Sequence, residues 1–260
     1  MFRGHFCRSG TLRSIWHGRE RKRKPLGGAP VTVTGTRHRF RYLPSEGDWL
    51  SGEPGAMMRC LVTLATHRGI AFHQSRRAVV RKLRLLWCGC ARARWCHLPD
   101  EGRRAIEVVE RFADGRAAAR AFREARRAVA EWLRGARRFP PGSATPEAAE
   151  AMRFAVTAGE VHARLSDRYA VAAPPGAIGF LQDLFGNPFR PVEVAPAWRT
   201  ATVVGLARAI YAERAFDLMP VLCDALQDAG CTNEDVLSHC RDRTDHARGC
   251  WLLDALIGTE

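Results

Sequence analysis

An all-α fold, a compact array of short amphipathic helices with Pro/Gly-rich connections, is what this 260-residue sequence predicts. Three observations carry the prediction. Apolar residues recur at three- and four-residue steps through most of the chain after Arg77, and Gly and Pro cluster between those runs. The one stretch that alternates like a strand, VTVTGTRHRFRY, has no partner run to pair with, and an isolated strand cannot stabilise itself.

Taken in order, Val79, Val80, Leu83, Leu86, Trp87 and Cys90 place one apolar stripe on a helix that ends near Pro99. Ala105, Ile106, Val109 and Phe112 form a second stripe, closed by Gly115, and Ala119, Phe122, Val129, Trp132 and Leu133 a third, with Glu124 and Arg127 on its outer side. GARRFPPGSATP then interrupts the pattern. Thr145 as N-cap with Pro146 at the first helical position opens a helix through Met152, Ala155, Val156, Gly159 and His162, the last read as a helix-surface or core-edge histidine and not a ligand. The apolar piece IGFLQDLFG leads into NPFRPVEVAPAW, whose prolines require an extended connection. Short helices follow: Val203, Ala207, Ile210 and Tyr211; then Met219, Leu222, Cys223 and Leu226, opened by Asp217 and ended at Gly230. Thr232 with Asp235 reads as a capping-box variant, and Trp251, Leu252, Ala255 and Leu256 close the chain before Gly258. The expected core is Leu83, Leu86, Trp87, Ile106, Val109, Phe112, Phe122, Val129, Leu222, Leu226, Trp251 and Leu252.

This organisation divides the chain into four parts. Residues 1–43 are expected to be a basic leader outside the core, either disordered or the product of a start codon placed too early. Residues 44–138 form an N-terminal helical part, 139–146 a linker, and 147–260 a C-terminal helical part that can share one domain with 44–138. The net charge of +14 is concentrated in the leader, which holds eleven Lys/Arg against one acidic residue and leaves a net of +4 on the rest. Only three of the cationic residues are lysines, a skew that GC-rich codons explain without selection for phosphate contacts. Nucleic acid is therefore an unlikely partner beyond weak non-specific contact by the leader. No secretory apolar segment follows Met1 and no run reaches the length of a membrane span, so a cytoplasmic, reducing setting is expected, where the nine cysteines serve as packed thiols or metal ligands instead of bridges.

Residues able to do chemistry crowd only near the C-terminus, where Cys231, His239, Cys240, His246 and Cys250 fall within twenty positions. Thiolate and neutral imidazole are zinc-ligand types, and His246-x3-Cys250 spans one helical turn, although the remaining spacing matches no established finger. A second group, Cys88, Cys90, Cys96 and His97, is a poorer prospect, because Cys-x-Cys on a helix points its thiols about 200° apart. Phosphate-loop, HExxH and GxSxG patterns are absent, and the carboxylates of Glu234, Asp235, Asp242, Asp245 and Asp254 read as caps and dipole partners.

Several segments carry a family resemblance: WLSGEPGAMM at 49–58, RKLRLLWCGCARARW at 81–95, AIEVVERFADG at 105–115, LFGNPFRPVEVAPAW at 184–198, and ALQDAGCTNEDVLSHCR with HARGCWLLDALIG at 225–257. Together they resemble an uncharacterised paralogous family of planctomycete bacteria, over roughly residues 45–260. The resemblance implies no reaction. It places residues 1–43 outside the family and sets Ala91 where a third cysteine is usual, which weakens a metal role for Cys88 and Cys90. The reading favoured by the sequence is a non-catalytic helical module that binds protein, with no cofactor. The alternatives are a structural zinc module built on the C-terminal Cys/His cluster and an enzyme of unrecognised class.

Overall fold

The computed structural model describes residues 43–66, 72–136 and 176–259, together with the isolated helical positions 150, 153, 154 and 157. The expectations for the leader, for the linker at 139–146, and for Thr145, Pro146 and His162 lie outside the described residues. Among the described residues the fold is all-α, as the periodicity predicts. Its helices are α1 (Glu46–Leu50), α2 (Pro54–Thr66), α3 (Arg76–Arg92), α4 (Asp100–Ala113), α5 (Ala119–Ala136), α6 (Ala177–Phe185), α7 (Ala201–Glu213), α8 (Met219–Asp228), α9 (Glu234–Asp242) and α10 (Trp251–Ile257).

Side-chain caps fix four of the starts. Ser45 and Asp48 form a reciprocal capping box at α1, and the side chains of Ser75 and Thr200 accept the amides of Ala78 and Val203 at α3 and α7. The cap of α9 is Asn233, whose side chain accepts the Val236 amide at 3.2 Å, and not Thr232 as the capping-box reading has it. Asp217 lies one step early as well: residues Phe216–Leu218 make a 3-10 turn, and α8 begins at Met219. Gly258, at φ +73°, ends α10 in the left-handed conformation.

α3 is the central helix. Thirteen of its seventeen residues are buried, because α2, α4 and α6 all pack against it. Cys88 and Cys90 are therefore both buried, at 1% and 2% exposure, while Cys96 is exposed on the following turn. The apolar residues form two clusters. The first takes in Trp49, the α2 and α3 stripes, Ile106, Val109, Phe122, Val129 and the α6 residues Leu181, Leu184 and Phe185. The second joins α7, α8, α9 and α10 around Ile210, Leu222, Leu226, Val236 and Leu252. Phe112 and Trp251, expected in the core, are only partly buried: Phe112 stacks on Phe122 at 4.1 Å with the Arg84 guanidinium over it, and Trp251 lies at the edge of the second cluster.

Leu222 has no exposed surface, so Leu222→Ala is expected to cost about 2–5 kcal/mol through lost transfer energy and the cavity left behind. A chemical-denaturation midpoint close to that of the parent chain would contradict this placement.

Candidate metal centre

Where the two clusters meet, three segments converge. α6 is apolar along its length except for Gln182 and Asp183, and packing it on α3 buries that carboxylate completely. α9 supplies His239 from its last turn. The loop from Arg243 to Cys250 supplies His246 and ends in Cys250, the residue preceding α10. Asp183, His239, His246 and Cys250 thereby bring one ligand atom each to within 4.8 Å of all the others.

The loop has little regular structure, and side chains fix its path. Asp183 Oδ2 accepts the Ala247 amide at 2.9 Å, Arg243 donates to the Gly179 carbonyl and to Gln182 Oε1, and Arg248 donates to the carbonyls of Tyr211 and Ala212. Gly249, at φ +88°, lies so close to the helices beneath it that a Cβ would stand 2.7 Å from Leu85 Cδ1 and 3.0 Å from Leu184 Cδ2. Only glycine satisfies both the conformation and the space, and this delivers Cys250 to the site.

The donors are held in a specific hydrogen-bond pattern. His246 Nδ1 lies 2.7 Å from Asp183 Oδ1 and donates to it, while His246 Nε2 is buried and has no hydrogen-bond partner. His239 Nε2 lies 3.1 Å from Cys250 Sγ and 3.4 Å from Asp183 Oδ1, and its Nδ1 accepts the indole N–H of Trp251 at 3.2 Å. Burial pushes the His239 pKa down to about 3, with Asp183 opposing the shift. Burial raises the Cys250 thiol well above its ordinary range; Asp183 adds to this, and the amides of Leu252 and Leu253 aimed at the sulfur oppose it. A thiolate here needs a cation beside it.

The pattern fits a metal of the zinc class. One carboxylate, two imidazoles and one thiol are borderline donors suited to that ion, and a tetrahedral ion with bonds of about 2.0–2.3 Å holds its donors roughly 3.3–3.8 Å apart. His239 Nε2, at 3.1 Å from Cys250 Sγ and 3.4 Å from Asp183 Oδ1, is already close to that spacing, and the four ligand atoms, all within 4.8 Å of one another, need to draw together by about 1 Å at most. The buried, unpartnered Nε2 of His246 is a lone pair that a cation would satisfy.

Of the five residues singled out in the sequence, the structure gathers His239, His246 and Cys250. Cys240 follows His239 on α9 and so points about 100° away, into the second apolar cluster with Cys231 and Cys223. Asp183 is the residue that sequence reasoning passed over. Its signal is a lone carboxylate in an otherwise apolar helix, AIGFLQDLF, where an uncompensated buried charge is costly.

One consequence is a dependence on pH. In the metal-free chain the unfolded His239 protonates near its ordinary value of 6.5 and the folded one only near 3, so the unfolded state takes up the extra proton on acidification. Stability present above about pH 6.5 is expected to fall steadily as the pH drops towards 3. A His239→Gln chain should show a shallower fall, measured by thermal melts across that window.

No match to this chain was found among protein-family models, curated proteins or solved structures. No helix among the described residues is long and apolar enough to cross a membrane. What the fold and the site define is an all-α protein carrying a buried group of four ligand-type side chains.

Proposed function

We propose that this is a non-catalytic helical module tied together by one structural zinc ion, held by Asp183, His239, His246 and Cys250, which acts by presenting its outer helical faces to a protein partner. The observation that carries the metal reading is the convergence of four ligand-type side chains from three separate segments, buried between two apolar clusters. A structural site is closed and has all its ligands from the protein, whereas a catalytic one keeps a position open to substrate. Burial argues for the closed kind: Asp183 and Cys250 have no exposed surface, and the thiol is shifted away from nucleophilic use. For the partner-binding role, Leu218 and Val221 stand exposed close together at the start of α8, at 38% and 50%.

Elemental analysis of the purified full chain tests the metal reading. It should find close to one zinc per chain, retained by Cys231→Ala and lost from Cys250→Ala and His246→Ala. A metal-free chain that takes up no zinc on dialysis would overturn it.

A further inference from the structure

Trp251, the first residue of α10, packs one ring against Gly186, where a Cβ would stand 3.4 Å from the indole, and tilts over the His239 ring at a centroid distance of 5.1 Å. Indole N–H is a donor only, so its 3.2 Å contact makes His239 Nδ1 an acceptor. A neutral imidazole has one N–H, which therefore sits on Nε2, the nitrogen that faces Cys250 Sγ and Asp183 Oδ1. A metal ligand must offer a lone pair at that position, and a ligating histidine ordinarily donates its other ring N–H to a neighbour. In His239 both requirements are reversed: the proton is on the inner nitrogen, and the outer nitrogen meets a donor. His246 has no such obstacle, since its Nδ1 faces a carboxylate.

Building on the metal reading above, we propose that Trp251 sets the affinity of the centre: its indole N–H holds His239 in the tautomer that cannot ligate, so that loading the metal and releasing this hydrogen bond are one event. His239 stays neutral throughout. The proton on Nε2 is exchanged through solvent for one on Nδ1, Nε2 donates its lone pair to the ion, and the thiol proton of Cys250 leaves to solvent as sulfur forms its bond. No oxidant or reductant takes part. The indole N–H turns from His239 to water, which the half-buried position of Trp251 permits. By reciprocity, any partner that engages the released indole tightens the metal, and the metal favours that partner.

The test uses the full chain, stripped of metal and titrated with zinc against a chromophoric chelator. Trp251→Phe keeps an aromatic ring, though a smaller one, beside Gly186 and removes the N–H, so it should bind zinc about fivefold to tenfold tighter than the parent, the scale of one neutral hydrogen bond. In the parent chain, the indole N–H resonance missing from the variant should exchange with solvent faster once zinc is added. Equal or weaker binding by the variant, or exchange that is unchanged or slower in the parent, overturns the role of Trp251 and leaves the metal centre standing. Absence of zinc binding by either chain overturns both. If the variant does not fold, the exchange rate in the parent chain decides alone.

Discussion

Replacing Asp254 by Ala is expected to destabilise the protein by about 3–5 kcal/mol, because it takes the counter-charge from buried Lys82 and one of the two carboxylates from buried Arg81. Asp254 sits on α10 one turn after Cys250 and meets α3 through Arg81, with Nη1 to Oδ2 at 2.6 Å and Nη2 to Oδ1 at 3.2 Å. Arg81 Nη2 also reaches Tyr211 Oη at 2.6 Å and Asp114 Oδ1 at 3.0 Å, and the Tyr211 hydroxyl donates to the same Asp114 oxygen at 2.8 Å. Lys82, 3.8 Å from Asp254, donates to the Leu184 carbonyl at 2.6 Å. These groups are nearly sealed from water: Arg81 and Lys82 are each 6% exposed and Asp254 4%. Burial pulls the Lys82 pKa down against the pull of Asp254, so the lysine is the cation most exposed to loss of its counter-charge. For a folded unit of this size the loss corresponds to a fall of roughly 10 °C in melting temperature. The surface pair Arg120–Glu124 provides the control: both side chains are largely exposed, and Glu124→Ala should leave the midpoint unchanged. A midpoint for Asp254→Ala as little changed as that control would mean that the network is solvated.

The second large effect is metal-linked stability. An ion that binds the folded chain alone adds about 2.7 kcal/mol when its free concentration is a hundredfold above Kd and about 4.1 kcal/mol at a thousandfold. Thermal melts of the stripped chain should therefore rise by several degrees with zinc and fall back on chelation, with no response from Cys250→Ala. The stripped chain should still melt cooperatively, because both apolar clusters and the Asp183, His239 and His246 hydrogen bonds exist without the ion. A stripped chain with no cooperative transition would show that the metal is required for folding, as in zinc fingers.

The architecture was largely legible from periodicity, and its gaps have physical causes. α2 was not anticipated because its sequence, PGAMMRCLVTLAT, is apolar on most of its circumference and has no polar face to reveal a period. α1 is five residues long, too short for any stripe. The one-residue differences at the caps Asn233 and Leu218 reflect helix starts that depend on backbone geometry, which the local sequence does not distinguish. Among the candidate ligands, His239, His246 and Cys250 were visible as a cluster in sequence. Asp183 stands fifty-six positions before His239, and only the packing of α6 on α3 and α10 brings it in. Adjacency in sequence also misled for Cys240: a helix turns successive side chains about 100° apart, so His239 and its neighbour cannot face the same point.

The most direct test of the four-donor centre is the zinc K-edge absorption fine structure of the loaded full chain. The account predicts one sulfur at about 2.3 Å and three nitrogen or oxygen neighbours at about 2.0–2.2 Å. Two or more sulfur neighbours would contradict it by drawing Cys240 or Cys231 into the shell, and a shell of six oxygen neighbours without sulfur would show the ion bound elsewhere on the surface.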